Sequence, residues 1–320
     1  MQNNHTTHCT TTFGTLSMLN EKQRLSFMII NIMIAILNVL VNVVATSIIV
    51  KTRQIKNQSI KLVFYLSISN IAFGLVGQPI IAAILYYGTD LGCTPMRLML
   101  FVIELFLYSS TYLTGMLGFD RFIRIRYLNS YSQVYTKFRF MLSMVLLYML
   151  IGLQSGLGVM SRFLNLSAVF ITLPINILVF ATVAFFYGRS IFILKQHEQN
   201  VKKLTRSRKT VHLTRLASLY IASDVIFSVP LVLTLGVYYF LRKNPLIDIE
   251  LKGLLFYSCF LFFVCHCPVN AICFLAVNRK AKSRIPGTSR SSDNLNDSSF
   301  NDTLVSHQPY HHQLAHDTKL

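Results

Sequence analysis

The chain contains no tryptophan, and only 12 of its 320 residues are acidic. Charged residues of both signs make up 13% of it. A soluble domain carries about a quarter of its residues charged, so this composition excludes an ordinary water-soluble fold. No repeat of 20–50 residues appears, and no alternating pattern of a membrane barrel. The first 25 residues are polar and lack the apolar core of a cleavable signal peptide. The first apolar run is therefore expected to act as its own membrane anchor.

What the chain has instead is apolar length. Hydrophobic residues make up 53% of it. Seven long runs stand out, at 26–50, 62–87, 98–119, 140–161, 168–188, 216–241 and 253–278. A bilayer core of about 30 Å needs about 20 such residues per helix. Backbone polar groups in lipid must be satisfied within the segment, so each run reads as a helix. The expected fold is an all-α membrane protein, a seven-transmembrane-helix bundle. It has a tail over 1–25, the bundle over 26–278, a short basic helix at 279–285 and a disordered tail over 286–320.

The net charge of +18 suggests nucleic acid at first sight. Its distribution excludes that, because each basic cluster abuts an apolar run. With the N-terminus outside, 23 of the 30 Lys and Arg fall in cytoplasmic segments and seven outside. That bias orients the bundle with its N-terminus out and its C-terminus in. The partner of the basic segments is anionic membrane lipid. Of six cysteines, only Cys9 and Cys93 face the oxidising side and form the candidate disulfide. Asn4, in Asn4-His5-Thr6, is the candidate glycosylation acceptor. The tail histidines have poor ligand spacing, and no metal site is read from them.

Polar residues inside membrane helices are costly and mark function by default. Asn42 lies nine residues before Lys51, Asn70 nine after Lys61, Asp224 nine after Arg215 and Asn270 nine before Arg279. At 1.5 Å per residue all four sit about 13–14 Å inside the cytoplasmic anchors. Ser110 falls slightly deeper. Asp224 pairs in spacing with Ser228, and His266 with Asn270, each at i, i+4. These residues are expected to form one buried polar layer. Asp224 is then protonated, paired with His266 or bound to a sodium ion. The other buried acid is Glu104, about 10 Å below the outer surface. It is either a counter-ion for a ligand cation or a structural group paired with a residue such as Arg162.

Asp120-Arg121-Phe122 ends the third run. With Asn42, Leu66, Asn70, Pro79, Ser110, Tyr187, Pro230 and Asn270-Ala271-Ile272-Cys273-Phe274, it makes residues 26–285 resemble a divergent rhodopsin-like (class A) G-protein-coupled receptor. Asp120-Arg121-Phe122 is similar to the family's Asp-Arg-Tyr, and Asn270 to Phe274 is similar to its Asn-Pro-x-x-Tyr. The departures are specific. Asn70 stands where the family has an acid, and Ser228 where it has tryptophan. The loop over 162–167 has no cysteine, and Lys209 and Thr210 stand where an acid restrains the arginine.

The resemblance implies a plasma-membrane receptor that couples an extracellular ligand of unknown class to a heterotrimeric G protein. Arg121, leaving Asp120, would meet Tyr187 and the G protein as the sixth helix swings about Pro230, with Asn270 and Phe274 as further hinge residues. Without the restraining acid, raised basal activity is expected. The competing reading is a non-signalling or constitutively active seven-helix scaffold. A transporter would show paired broken spans, and an enzyme would show a nucleophile or metal set. Neither is present in the sequence, and no cofactor is implied beyond the sodium ion or proton at Asp224.

Overall fold

The computed structural model describes residues 19–53, 55, 58–87, 93–127, 130–163 and 249–283, with scattered positions between 174 and 234. It divides into a unit over Met1–Asn278 and a unit over Arg279–Leu320. In the second unit, only the helical residues up to Ser283 are described.

The first helix, α1 (Glu21–Lys51), starts on a capping box. Asn20 accepts from the Gln23 N–H at 2.9 Å, and the Gln23 side chain accepts from the Asn20 N–H at 3.1 Å. Glu21 in the first turn and Lys51 in the last complement the helix dipole. The helix ends at Thr52, and Arg53 turns the chain at φ 51°. Its buried residues are Phe27, Asn31, Ala35, Asn38, Asn42, Ala45 and Ile49, one stripe at helical spacing. The opposite face exposes Ile29, Met33, Ile36, Leu40 and Val44. Three asparagines thus face inward and the large apolar side chains face outward. That inverts a water-soluble helix and suits lipid as the solvent.

The second span is one rod in three parts. An α-helix, α2 (Gln58–Ala72), passes through a π-turn at Phe73–Gly77 into α3 (Gln78–Tyr87). In the π-turn the Gln78 N–H bonds back five residues to the Phe73 carbonyl. Pro79 supplies no N–H, and its ring crowds the carbonyl four residues earlier, which favours a widened turn just before it. Gly74 lets the helix touch α1, for a Cβ there would stand 2.7 Å from Val39 Cγ2.

The third span is α4 (Cys93–Arg126), followed by the single turn α5 (Tyr131–Val134) and the fourth span α6 (Lys137–Phe163). Helix α7 (Ile249–Val264) stops at Cys265, whose N–H is shared between Leu261 O at 3.2 Å and Phe262 O at 3.1 Å, and α8 (His266–Ser283) follows.

Five helical stretches among the described residues are long and apolar enough to cross a membrane. The helices run past the apolar runs read from sequence. The run at 62–87 begins at Gln58, and the run at 98–119 extends over Cys93–Arg126. Helical hydrogen bonding outlasts the apolar stretch, since polar residues continue a helix where it emerges from hydrocarbon. The runs at 168–188 and 216–241 fall largely outside the described residues, and their described positions are helical.

Helix α1 packs on α2, α3 and α7, while α4 packs between α2 and α6. Two apolar cores lie one above the other. The core toward the basic end gathers Ile49, Leu62, Leu66, Leu113, Leu117, Phe140, Ile151 and Phe274. The other gathers Phe27, Phe73, Ile84, Leu100, Phe256, Tyr257 and Phe260.

Candidate functional site

At the basic end of the bundle, α4 carries Asp120 to full burial. A carboxylate there needs donors, and two are seen among the described residues. The Ser59 hydroxyl donates to Oδ2 at 2.6 Å, and the Tyr131 hydroxyl donates to Oδ1 at 2.5 Å. Both are in the range of O–H bonds to an ionised acceptor. Tyr131 also reaches Gln58 Oε1 at 3.1 Å, and the Arg124 guanidinium stacks on its ring at 4.4 Å from the centroid. The first residues of α2 and the turn α5 therefore close on Asp120 from two sides. Burial and the Asp120 charge push the Tyr131 hydroxyl well above the ordinary tyrosine range, against the opposing pull of Arg124. Burial pushes Tyr135 up to about 12, while a hydrogen bond with Ser143 works against it.

Arg121 is one residue on, in the helix; its side chain lies outside the described residues. Phe122 is half-buried against the core on this end and has the Arg126 guanidinium 5.9 Å from its ring. Tyr187, Asp224 and Ser228 lie outside the described residues, as do Cys9 and Asn4. Cys93 is the first residue of α4, with its side chain undescribed. Pro230 is helical, and its carbonyl accepts from Thr234 Oγ1 at 2.7 Å. That same hydroxyl reaches Cys259 Sγ at 3.2 Å, joining this stretch to α7.

The polar residues further in form two clusters on adjacent residues of α8. Asn42 and Asn70 both donate to the Cys267 carbonyl, at 3.4 and 3.3 Å. The His266 ring lies between Phe263 O at 2.6 Å and Ser110 Oγ at 3.0 Å. A carbonyl only accepts, so Nδ1 carries the proton and Nε2 accepts from Ser110. Asn270 is buried, and its side-chain amide meets no hydrogen-bond partner among the described residues. The same holds for Asn70 Oδ1. Phe274, one turn further, is packed in the core at the basic end.

Spacing alone did not single out Asn31 and Asn38. Asn38 donates to Asn70 O at 2.8 Å, Asn31 to Gln78 O at 2.8 Å, and Asn42 to Asn38 Oδ1 at 2.8 Å. The signal was present as asparagines at i, i+7 and i+11 on one apolar helix. A depth ruler drawn from the basic anchors reads only Asn42. Ser59 and Tyr131 gave no signal, because their role depends on a contact between segments far apart in sequence.

Glu104 points at α6. Its Oε2 lies 2.6 Å from where a Cβ on Gly158 would stand, so the glycine makes room for the carboxyl. One turn and more along the same interface, Tyr112 donates to Gln154 Oε1 at 2.5 Å.

Residues 41–164 match the family model of the 7 transmembrane receptor (rhodopsin family). The chain resembles the rhodopsin-family receptors. The matched stretch holds Asn42, Ser59, Asn70, Glu104, Ser110, Asp120 and Tyr131, and so the whole clasp around Asp120. No curated protein matches the chain. This receptor-like chain is an all-helical, multi-pass membrane protein. The matched family consists of receptors, not enzymes.

Proposed function

We propose that the chain is a plasma-membrane receptor that converts binding of an extracellular ligand into activation of a heterotrimeric G protein. The observation that carries this reading is the fully buried Asp120, held by Ser59 and Tyr131 beside Arg121, within the stretch that matches the receptor family. A buried carboxylate with two donors costs little while both donors stay and a great deal once they leave. It therefore suits a two-state element. In one state Asp120 is clasped. In the other, Arg121 is freed to meet Tyr187 and the G protein as the sixth helix turns outward about Pro230. The restraint comes from α2 and α5 in a chain with Lys209 and Thr210 where an acid would otherwise restrain the arginine, so a measurable basal activity is expected.

The layer of Asn42, Asn70, Ser110, His266 and Asn270, with Asp224, is the candidate seat of a sodium ion or proton that biases the two states. An Asp224→Asn variant whose pH and sodium responses equal those of the parent would remove that assignment. Glu104 remains the candidate counter-ion for a cationic ligand. Its carboxyl lies beside Gly158, on the side of the third span that faces the fourth. Cys9 with Cys93, glycosylated Asn4 and contact of the basic segments with anionic lipid complete the proposal.

The test is G-protein recruitment and nucleotide exchange in membranes of cells expressing the full chain. Exchange above mock-transfected membranes that disappears in Arg121→Ala is the expected result. Exchange equal to mock membranes, or unaffected by Arg121→Ala, would leave a seven-helix scaffold as the better description.

A further inference from the structure

We infer that the π-turn at Phe73–Gly77 is a register element that decides which residue of the second span faces Asp120, and that Pro79 and Gly77 hold it in the register seen here. The inference rests on reading Asp120 as the restrained end of the switch.

The π-turn lies between the two apolar cores. Phe73 belongs to the core away from the basic end, and Leu62 to Leu66 belong to the core at the basic end. A π-turn holds one residue more than the α-helical turn it replaces. If α3 stays in place and the turn tightens to α, every residue of α2 moves one step toward the basic end. That is about 1.5 Å of travel and about 100° of rotation. Each residue then takes the place of the one before it. Ile60 takes the place of Ser59 and faces Asp120 with no hydroxyl, and Ile71 takes the place of Asn70 opposite the Cys267 carbonyl.

The present register has specific holds. Gln78 N–H bonds to Phe73 O within the turn. Pro79 supplies no N–H for an α-helical bond and crowds the carbonyl four residues back, which keeps the turn wide. Two buried amides of α1 bracket it, Asn38 on Asn70 O and Asn31 on Gln78 O, each at 2.8 Å, and bond to backbone carbonyls that either register presents. Asn38 also reaches Gln78 Oε1 at 3.4 Å. The Phe73 ring lies over Gly77, where a Cβ would stand 2.3 Å from Cδ2. Phe73 is 1% exposed, so the ring has no room to retreat. In a regular α-helix an alanine four residues after a phenylalanine is ordinary. An alanine at 77 therefore selects against the π register in particular. One element thus links the ends of the bundle: contacts around Phe73 and Gln78 set the angle at which Ser59 meets Asp120.

Disulfide trapping reads the register directly and does not depend on signalling. In the full chain in lipid vesicles, one variant pairs Ser59→Cys with Asp120→Cys and another pairs Ile60→Cys with Asp120→Cys. Linked peptides are quantified by mass spectrometry, which separates them from bridges of the native cysteines. In the parent background the 59–120 bridge should dominate, since these side chains touch. Adding Gly77→Ala or Pro79→Ala should raise the ratio of 60–120 to 59–120 bridges by about tenfold, the effect of one net hydrogen bond. Adding Phe73→Ala to Gly77→Ala removes the clash and should return the ratio to that of the parent. If Gly77→Ala does not fold, Pro79→Ala decides alone. An unchanged ratio in the folded variants, or no return with Phe73→Ala, overturns the register element. The receptor reading stands or falls separately, on nucleotide exchange.

Discussion

The two halves of the bundle are built on different principles. Away from the basic end, Phe27, Ile84, Leu100, Phe256, Tyr257 and Phe260 fill the centre, and the Phe256 and Tyr257 rings meet edge-on at 5.4 Å. That half has a buried polar bond from Asn31 to Gln78 O at 2.8 Å, and a polar rim where Glu250 Oε1 accepts from Asn20 at 2.9 Å and from Gln23 at 2.7 Å. Toward the basic end the centre itself is polar in places, with Asp120, Ser59, Asn42, Asn70 and His266 all buried. Apolar packing has no alternative partner and resists change over a broad range of small displacements. A buried hydrogen bond is made or lost within an ångström and leaves a costly orphan when lost. One half is therefore a support and the other a device with two settings.

The largest expected effect comes from breaking the support. Phe256→Ala should cost about 3–5 kcal/mol of stability, from lost contacts and the cavity left behind. It is read as a fall in the thermal midpoint in detergent, with basal nucleotide exchange per folded molecule unchanged. A rise in exchange would mean that the two halves are not separable in this way. The next effect comes from the device. Tyr131→Phe removes one hydroxyl from a buried carboxylate, worth about 1.5–3 kcal/mol. Basal exchange should rise about tenfold and the thermal midpoint should fall by less than in Phe256→Ala, and an unchanged basal rate would show that the Tyr131 hydroxyl does not set the restraint on Asp120.

The smallest effect is with pH. Tyr131 titrates above its ordinary value of 10.0 in the folded chain, so its contribution is fully present below that pH and is lost as pH rises toward the folded value. The response of basal exchange and stability to pH should carry no contribution from this residue from about pH 6 to pH 9. Any Tyr131-dependent change in that window, seen by comparison with Tyr131→Phe, would show that the hydroxyl is less buried than it stands here.

The membrane bundle was legible in the sequence because bilayer thickness imposes a length and a composition that few other constraints mimic. Asn42, Asn70 and Asn270 were legible as costly residues at a common depth, with Ser110 slightly deeper and His266 one turn from Asn270. Their partners were not. Cys267 contributes a backbone carbonyl, which no side-chain pattern marks. The clasp on Asp120 joins residues 61 and 11 positions away in sequence, through a serine and a tyrosine ordinary in any chain. The π-turn leaves only Pro79 and two glycines as its trace, and those residues fit a plain kink equally well. The notch at Gly158 shows the same limit, since a glycine in a span has many uses until its neighbour is known.

A rod meets a thicker or thinner membrane by changing its tilt, and every contact along it shifts together. At Cys265 the last span keeps its helical bond to Leu261 O at 3.2 Å and adds one to Phe262 O at 3.1 Å, so the rod continues through a tightened turn. A change in bilayer thickness felt at the Glu250 rim is therefore expected to reach the Cys267 carbonyl, on which Asn42 and Asn70 converge, as a change of tilt.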